Sequence, residues 1–511
     1  MKKLIKILFS RYTISAFIIL MELLLVAYII FGAWTYSYIA FIVAILVSFT
    51  TLLFVINRDA NPEYKVSWIV VILVLPLFGS LLYLIFYRRR MTKKEEKLLA
   101  GIFSEINSYR GSDGNFDMLK SQDHLAYGKA RAIMNDDYIA EVYTGSDSIF
   151  FPTGEEYFEL FLRDLETAEN FIFLEYFIVE LGDLWDKVHK ILREKAKAGV
   201  EIRMLFDDWG CMQKLPPHYE YSLRADGINT YRFAKISPSL SSVHNNRDHR
   251  KICVIDGRIA YTGGVNIADE YVNTIVRFGY WKDGGIRVTG EAVRGFIKQF
   301  LSMWDFTTHT ISNYEKYIST AKPLEVSDGG YYIPFGSCPV PIYKRPTGKN
   351  AFLNLINQSK DYVYITTPYL VIDYDLTEAL CNAALRGVDV RIITPGIPDK
   401  KKVKIMTKSA YPYLMNAGVK IYEYTPGFIH EKTYVIDDKY AVVGTINLDY
   451  RSLMHNFENA LWMYDSPTVH VCRDEFLKTI EVSEQVDDRK TRLTPGERIV
   501  RNAIRLFAPL L

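Results

Sequence analysis

Cysteine is scarce in this chain, and its spacing shows no pattern. The sequence contains five cysteines among 511 residues, and no two of them form a C-x-x-C pair. An odd and scattered set is a poor disulfide framework and a poor zinc site, so we expect neither as the basis of the fold. Cys253 lies within a run of strand-forming residues and is interpreted as a small, buried apolar side chain.

Net charge is also low. The chain has 61 basic and 59 acidic residues, which gives a net charge of +2 and argues against the broad basic field of a nucleic-acid-binding protein. Hydrophobic residues make up 49% of the sequence and charged residues 23%, so a substantial soluble part is expected beside any membrane part. The length is sufficient for two or three domains.

Long apolar runs are concentrated in the first 90 residues. The runs Ile14–Ala33, Ile39–Ile56 and Trp68–Tyr87 are each about long enough to cross a hydrocarbon core of roughly 30 Å. The third run contains Pro76 and Gly79, so it is interpreted either as a full crossing or as a bent, re-entrant segment. A polar juxtamembrane connector with some helix is predicted to follow.

The remainder of the chain contains an internal repeat. AGVEIRML at 198–205 matches RGVDVRII at 386–393, and ADGINTYRF at 225–233 matches NAGVKIYEY at 416–424. Upstream of each copy, a helical pattern leads into an apolar strand pattern, an order typical of an α/β unit with a largely parallel sheet. We therefore predict a duplicated domain with one active site on its pseudo-twofold axis.

Each repeat culminates in the motif H-x-K-x4-D-x6-G-[GT]-x-N, with identical spacing from His249 to Asn266 and from His430 to Asn447. The histidine and lysine are two residues apart on an extended segment, so both side chains leave one face of the sheet. Two copies supply two imidazoles, two ammonium groups and two amides, which can cradle one phosphodiester. A single copy could be an ordinary strand with a surface histidine, but two copies inside a repeat are not a coincidence.

The aspartate of each motif stands between two apolar strand patterns. Asp256–Gly257 and Asp437–Asp438 are typical of the turns of β-hairpins. We interpret Asp256 and Asp437 as residues that stabilise these turns and the neighbouring cations, rather than as groups that touch a substrate.

The paired motifs resemble the HKD motifs of the phospholipase D superfamily, over roughly Tyr143–Arg473. The resemblance implies covalent catalysis without a metal or other cofactor. One histidine would attack phosphorus to form a phosphohistidine, and the other would protonate the departing alcohol and then activate the incoming one. By resemblance His249 is the nucleophile and His430 the acid/base, although the near symmetry of the repeats leaves the opposite order open. The candidate catalytic residues are His249, Lys251, Asp256, His430, Lys432 and Asp437.

The same resemblance implies residues that bind the phosphate or orient the histidines. The lysines and asparagines of the motifs would hold the non-bridging oxygens. An acidic residue downstream of each motif would orient a catalytic histidine, unless it is a surface carboxylate. The candidates for these roles are Asn266, Asn447, Asp283 and Glu458.

Several segments resemble bacterial cardiolipin synthases, namely Leu75–Gly79, Asn245–Lys251, Gly279–Trp281, Thr367–Tyr369 and Phe507–Leu511. This resemblance implies the condensation of two phosphatidylglycerols into cardiolipin and glycerol by a multi-pass protein of the bacterial inner membrane. Its partners would be phospholipids and the bilayer, without nucleic acid. The alternatives are a membrane phospholipase D, a phosphatidyltransferase that uses another donor such as phosphatidylethanolamine, and a non-catalytic membrane scaffold.

The expected fold class is α/β, with tandem phospholipase D-like domains of mixed, largely parallel sheets flanked by helices, after an N-terminal transmembrane helical region. The C-terminal stretch Glu497–Phe507 has apolar residues at helical spacing and is interpreted as an interfacial helix or as a helix docked on the protein. The predicted divisions are a transmembrane region at 1–90, a connector at 91–140, the first repeat at 141–320, the second repeat at 321–485 and an amphipathic segment at 486–511.

Overall fold

The computed structural model describes residues 34–87, 93–111, 114–234, 246–319, 329–339, 342–487 and 491–508. These residues divide into two compact units. The smaller unit includes the helices before residue 88, and the larger one holds residues 93–234 and 246–501 of the described chain. The predicted apolar run Ile14–Ala33 lies outside the described residues.

Helices alone form the described part of the N-terminal region: α1 (Trp34–Ile56), α2 (Pro62–Val74) and α3 (Pro76–Tyr87). The third apolar run of the sequence is therefore divided at Pro76, since proline has no amide hydrogen and disfavours helical backbone in the residue before it. No helix of the described chain combines the length and the apolar character that a membrane crossing requires. The predicted transmembrane region is thus not confirmed by these helices.

The predicted connector is a set of packed helices in the larger unit: α4 (Lys93–Ser108), α5 (Gly114–Gln122) and α6 (His124–Asp136). Helix α4 buries Leu99, Ile102 and Ile106, which follow one another at helical spacing and join the same apolar core as the first sheet. The region is more than a polar linker, because one face of each helix belongs to a core.

Two mixed sheets lie at the centre of the larger unit, in the strand orders β1-β8-β6-β5-β2-β3-β4 and β19-β13-β12-β10-β15-β16-β18-β9. The strands of the first repeat are β1 (Ser146–Phe151), β2 (Phe171–Tyr176), β3 (Glu201–Asp207), β4 (Asn229–Phe233), β5 (Ile252–Ile255), β6 (Ile259–Gly263), β7 (Tyr280–Lys282) and β8 (Gly285–Gly290). Those of the second are β9 (Tyr331–Ser337), β10 (Tyr362–Thr366), β11 (Leu370–Val371), β12 (Asp389–Pro395), β13 (Lys420–Tyr424), β14 (Gly427–Ile429), β15 (Thr433–Ile436), β16 (Tyr440–Gly444), β17 (Leu448–Asp449), β18 (Glu458–Tyr464) and β19 (Ser483–Gln485).

Helices flank both sheets, as the duplicated α/β pattern predicts. In the first repeat they are α7 (Gly154–Glu166), α8 (Asp183–Lys197), α9 (Asp208–Cys211), α10 (Tyr219–Ala225), α11 (Val293–Thr308) and α12 (Tyr314–Ile318). In the second they are α13 (Thr347–Asn357), α14 (Tyr374–Leu385), α15 (Lys401–Asn416), α16 (Tyr450–Met454) and α17 (Pro467–Glu481), and α18 (Pro495–Phe507) follows.

The prediction of mixed sheets is confirmed, but the prediction that they are largely parallel is wrong. In the first sheet the pairs β2–β3 and β3–β4 are parallel, and the pairs that join β1, β8, β6, β5 and β2 are antiparallel. In the second sheet the pairs β10–β12 and β12–β13 are parallel, and the pairs on both sides of them, including β13–β19, are antiparallel. The reason is local: the strands of each motif are joined by a tight hairpin, which can connect only antiparallel neighbours.

The hairpin turns fit their sequences. Asp256 and Gly257 both have positive φ angles, and so do Asp437 and Asp438, as a type I′ turn requires. The Asp256 carboxylate accepts hydrogen bonds from three consecutive backbone amides at 169–171, at 2.7–2.8 Å. Asp437 accepts the equivalent three at 360–362, at 2.8–2.9 Å. Both aspartates therefore fasten a turn to the start of the neighbouring strand.

The two repeats share a hydrophobic core. Val254 and Ile286 of the first sheet belong to the same buried cluster as Val443 and Leu461 of the second. Cys253 is fully buried, as predicted. The faces of the two sheets that carry the motif strands are thus brought together.

The C-terminal segment forms the predicted helix, α18. Thr494 and Glu497 cap its start with reciprocal hydrogen bonds. None of its residues is buried, and Ile499 is 71% exposed. The interfacial interpretation of this helix and the docked one both stay predictions.

Candidate active site

Backbone hydrogen bonds between the repeats position the two motif histidines. The His249 amide donates to the Phe457 carbonyl at 2.9 Å, and the His430 amide donates to the Lys282 carbonyl at 2.7 Å. Strand β14, which leads into His430, also pairs in parallel with β7, which ends at Lys282. Since Phe457 precedes Glu458 and Lys282 precedes Asp283, each histidine lies beside the acidic residue of the other repeat.

The acidic residues exchange partners across the repeats. His249 Nδ1 donates to Glu458 Oε2 at 2.9 Å, and His430 Nδ1 donates to Asp283 Oδ2 at 2.6 Å. Both carboxylates are fully buried, so neither is a surface group. Each histidine–carboxylate pair needs both repeats, so the candidate active site lies at the repeat interface.

The two carboxylates differ in the support that they receive. Besides His249, Glu458 accepts hydrogen bonds from the Thr445 hydroxyl, the Ser452 hydroxyl at 2.5 Å and the Asn456 amide at 3.3 Å. Besides His430, Asp283 accepts one from the amide of the next residue, at 2.9 Å. Thr445, Ser452 and Asn456 have no function that the repeated motif predicts.

A glycine explains part of this difference. Gly264 stands in the first motif where Thr445 stands in the second. A Cβ atom at Gly264 would lie 2.1 Å from Asp283 Oδ1, so no side chain fits there. In the first motif the Asp283 carboxylate occupies this space. In the second motif the Thr445 side chain occupies it, and its hydroxyl donates to Glu458.

The motif lysines are buried beside the histidines. Lys251 Nζ donates to the His249 carbonyl at 2.6 Å, and Lys432 Nζ lies 2.8 Å from His430 Nδ1. Burial lowers the pKa of Lys251 to about 7, although Glu458 opposes the shift, and it lowers the pKa of Lys432 to about 8, against the effect of Asp283. The nearby carboxylates do not restore the ordinary pKa values of these two buried ammonium groups, so the pair is a suitable binding site for an anion.

The histidines are held in the neutral form. Burial lowers the pKa of His249 to about 4, in spite of Glu458, and burial together with Lys432 holds the pKa of His430 well below its usual value. Burial raises the pKa of Asp283 to about 6. Burial would also raise the pKa of Glu458, but His249 and Lys251 outweigh it and the pKa lies below its ordinary value. At neutral pH each imidazole therefore donates Nδ1–H to a carboxylate, which leaves a lone pair on Nε2.

The side chains of the two motif asparagines differ in their hydrogen bonds. Asn266 accepts from the Ile178 amide at 3.0 Å and donates to the Tyr271 hydroxyl at 2.7 Å. Asn447 Oδ1 is buried and has no hydrogen-bond partner within the described chain. Of the two amides, that of Asn447 thus keeps more capacity for another group.

A second asparagine, which the sequence analysis did not single out, links the motifs. Asn459 Nδ2 donates to Thr262 Oγ1 at 2.9 Å, and its Oδ1 accepts from the Lys251 amide at 3.4 Å. It follows Glu458 directly but has no counterpart in the repeat pattern, so no periodic signal marked it.

Comparison with known proteins agrees with this arrangement. The family model described as cardiolipin synthase, phospholipase D-like domain, matches residues 162–304 and 352–480, and a phospholipase D-nuclease N-terminal model matches residues 40–88. A cardiolipin synthase of Geobacillus thermodenitrificans is 35% identical over 92% of this chain and 94% of its own length. This chain belongs to the bacterial cardiolipin synthases of the phospholipase D superfamily. A second family member, from Geobacillus kaustophilus, is 34% identical over 89% of this chain and 90% of its own length.

A solved structure agrees with the fold assigned to this family. The phosphatidylserine synthase of Haemophilus influenzae superposes with a TM-score of 0.54 over 75% of this chain and 97% of its own, at 16% identity. At that identity the likeness supports the tandem fold alone. Family membership and the paired motifs together make the chain a phosphatidyltransferase of this superfamily.

Proposed function

We propose that this protein joins two phosphatidylglycerols into cardiolipin and releases glycerol. The observation that carries the proposal is the reciprocal exchange of carboxylates, in which Glu458 holds His249 and Asp283 holds His430 at one interface. Such an interface can bring two imidazoles to opposite sides of one phosphorus atom. The cardiolipin synthase relatives, which align over most of this chain, support the choice of substrate.

The reaction proceeds by two displacements at phosphorus. A neutral imidazole attacks, a P–N bond forms, and the P–O bond to glycerol breaks while the other imidazole, then protonated, gives its proton to the glycerol oxygen. The hydroxyl of a second phosphatidylglycerol then returns a proton to that imidazole, attacks phosphorus and breaks the P–N bond. The assignment of His249 as the nucleophile remains a prediction.

The buried cations suit the charge that develops during transfer. Lys251 and Lys432 would hold the non-bridging oxygens, with Asn447 as a further polar contact. Binding of the phosphodiester anion offsets the burial of both ammonium groups. It also favours the protonated form of the second imidazole, whose carboxylate partner stabilises the positive charge.

A location in the bacterial inner membrane, with several crossings, is part of the same proposal. It is supported by the apolar runs of the sequence and by helix α1, which contains no charged residue and exposes large apolar side chains such as Phe49 and Leu46, 59% and 58% exposed. A membrane location supplies lipid alcohol at high local concentration. Lipid transfer is then favoured over attack by water.

The test is a product assay with purified full-length protein and vesicles of labelled phosphatidylglycerol. We expect equimolar cardiolipin and glycerol, and no product from the His249→Ala or His430→Ala variant. His124→Ala, a change at an exposed histidine, is the matched control and should retain wild-type activity. Phosphatidic acid as the only lipid product would show a hydrolase instead, and turnover in both histidine variants would favour a scaffold.

A further inference from the structure

The pseudo-twofold symmetry of the site does not extend to the charged residues near its two histidines. Two residues before His249 stands Arg247, whereas the equivalent position before His430 is Phe428. Four residues after Asn447 stands Arg451, whereas the equivalent position after Asn266 is Glu270. At each of these two pairs of equivalent positions, one repeat has an arginine and the other has none.

Arg247 shares a strand face with His249. The Phe457 amide donates to the Arg247 carbonyl at 2.8 Å, and the Phe457 carbonyl accepts from the His249 amide, so the two residues flank the same partner on an extended segment. Their side chains therefore leave the same face, separated by roughly 6–7 Å of backbone. Arg247 Nη1 donates to the Ala234 carbonyl at 3.2 Å and lies 3.7 Å from Asp207 Oδ1.

Arg451 reaches the same region from the second repeat. Its carbonyl accepts from the amides of His455 and Asn456, which sets it close to Phe457. Its Nη1 is buried and has no hydrogen-bond partner within the described chain. Burial lowers the pKa of Arg451; Asp449 opposes this shift and Arg247 adds to it, as expected for two neighbouring guanidinium groups.

The other half of the site is aromatic. The rings of Tyr271, Trp281 and Phe428 lie 5.6–5.7 Å from the His430 ring, centroid to centroid. The Glu270 carboxylate is paired with Arg277 at 3.1 Å. Lys400 lies near enough to add to the lowering of the His430 pKa, but it is 63% exposed and lies 3.7 Å from Asp399, so it does not form a pair of cations like that of Arg247 and Arg451.

We propose that Arg247 and Arg451 bind the phosphate of the acceptor lipid. The inference rests on the proposed function, because only a reaction between two phospholipids brings a second phosphodiester to the site. The catalytic lysines hold the donor phosphate, and the acceptor phosphate is separated from its attacking hydroxyl by the three carbons of one glycerol. In-line displacement brings the acceptor hydroxyl to the acid/base histidine, so a pair of cations one strand step from His249 matches that separation when His249 is the acid/base and His430 the nucleophile, the order that the near symmetry of the repeats leaves open. This pair would favour an anionic acceptor over water or free glycerol.

The experiment compares two reactions that share a donor and differ in the charge of the acceptor. Full-length wild type, Arg247→Met and Arg451→Met are assayed for cardiolipin synthesis from phosphatidylglycerol vesicles and for exchange of labelled glycerol into unlabelled phosphatidylglycerol. Methionine keeps the apolar stem of each side chain and removes the charge. Arg163→Met, at a side chain 69% exposed, is the matched control.

We expect cardiolipin synthesis by each variant to fall about ten- to a hundredfold, the effect of losing one charge-assisted hydrogen bond, while glycerol exchange stays within about threefold of wild type. Arg451→Lys should recover part of the loss. An equal fall in both reactions would mean that the arginines serve the donor phosphate and would overturn the inference, as would undiminished cardiolipin synthesis. A wild type that exchanges glycerol but makes no cardiolipin would instead contradict the proposed function.

A second measurement does not depend on variant folding. In neutral detergent micelles containing phosphatidylglycerol as donor, wild-type protein is offered soluble glycerol phosphate or glycerol as the acceptor. Glycerol phosphate carries one phosphate beyond its free hydroxyl, so we expect a higher kcat/KM for it. Equal kcat/KM values for the two acceptors would overturn the inference.

Discussion

Neutralising the two carboxylates that pair with the motif histidines should have unequal costs for stability. In Glu458→Gln the amide replaces a carboxylate that accepts from His249, Thr445, Ser452 and Asn456. The new NH2 group faces two donors that it cannot accept from. At about 1–3 kcal/mol for each buried donor left unpaired, the unfolding free energy should fall by about 2–6 kcal/mol.

Asp283→Asn removes less. Asp283 accepts from His430 and from the amide of Gly284, so the new NH2 group opposes a single donor. The expected loss is about 1–3 kcal/mol. Burial already raises the pKa of Asp283 to about 6, so its environment tolerates a neutral group, whereas the pKa of Glu458 lies below its ordinary value. The two variants therefore test whether the difference in hydrogen bonding is real.

Urea unfolding of the full-length protein in detergent, followed by tryptophan fluorescence, gives the two free energies if the m values agree. A double-mutant cycle with Thr445→Val isolates one contact. Thr445→Val should cost about 1–2 kcal/mol in the wild type and less in Glu458→Gln, where its hydroxyl has lost the carboxylate and keeps the Asn459 carbonyl, at 3.1 Å, as an acceptor. Equal destabilisation by Glu458→Gln and Asp283→Asn, together with additive Thr445→Val effects, would refute this account.

Three further predictions concern the reaction. The dependence of kcat/KM on pH should be bell-shaped. The ratio falls below pH 6 because Asp283, with its pKa of about 6, is protonated and releases His430, and it falls above pH 7–8 because Lys251 and Lys432, with pKa values of about 7 and 8, lose their charge. A flat profile from pH 5 to 9 would contradict the assignment. Mass spectrometry should find a phosphatidyl adduct in one histidine variant alone: in His430→Asn if His249 is the nucleophile, as the resemblance implies, or in His249→Asn if His249 is the acid/base, as an acceptor phosphate beside Arg247 requires; an adduct in both variants would contradict the mechanism. Asp256→Ala should lower the unfolding free energy by about 1–3 kcal/mol with kcat within about twofold of wild type, because Asp256 fastens a turn; a large fall in kcat at unchanged stability would give it a catalytic role.

The sequence predicted the duplicated α/β fold and the hairpin at each motif because both are local. The repeat fixes the order of strand and helix, and the residues Asp256–Gly257 suit positive φ angles. The sheet direction was wrong because the strand–helix–strand pattern was extended to strands that are joined by hairpins. A local sequence pattern does not show which neighbouring strand a strand pairs with, or in which direction.

The exchange of carboxylates could not be read from spacing. Asp283 lies 17 residues from Asn266 in its own repeat, yet its partner is His430, far away in the chain. Only the packing of one sheet against the other brings them together. The support of Glu458 by Ser452 and Asn456 is local, because these residues stand six and two positions before it, but within the described chain Asp283 has no equivalent hydrogen bonds, and no repeated pattern marked the two residues.

Fusion of the two repeats in one chain allows their symmetry to break where the chemistry requires it. The reciprocal pairs make both halves necessary, and two identical subunits could supply them equally well. Identical subunits could not, however, place Arg247 on one side and Phe428 on the other, or Arg451 opposite Glu270 and Thr445 opposite Gly264. A reaction that joins two chemically identical lipids still assigns them different tasks, since one yields its phosphorus and the other its hydroxyl. The unequal halves of this site give those two tasks different surroundings.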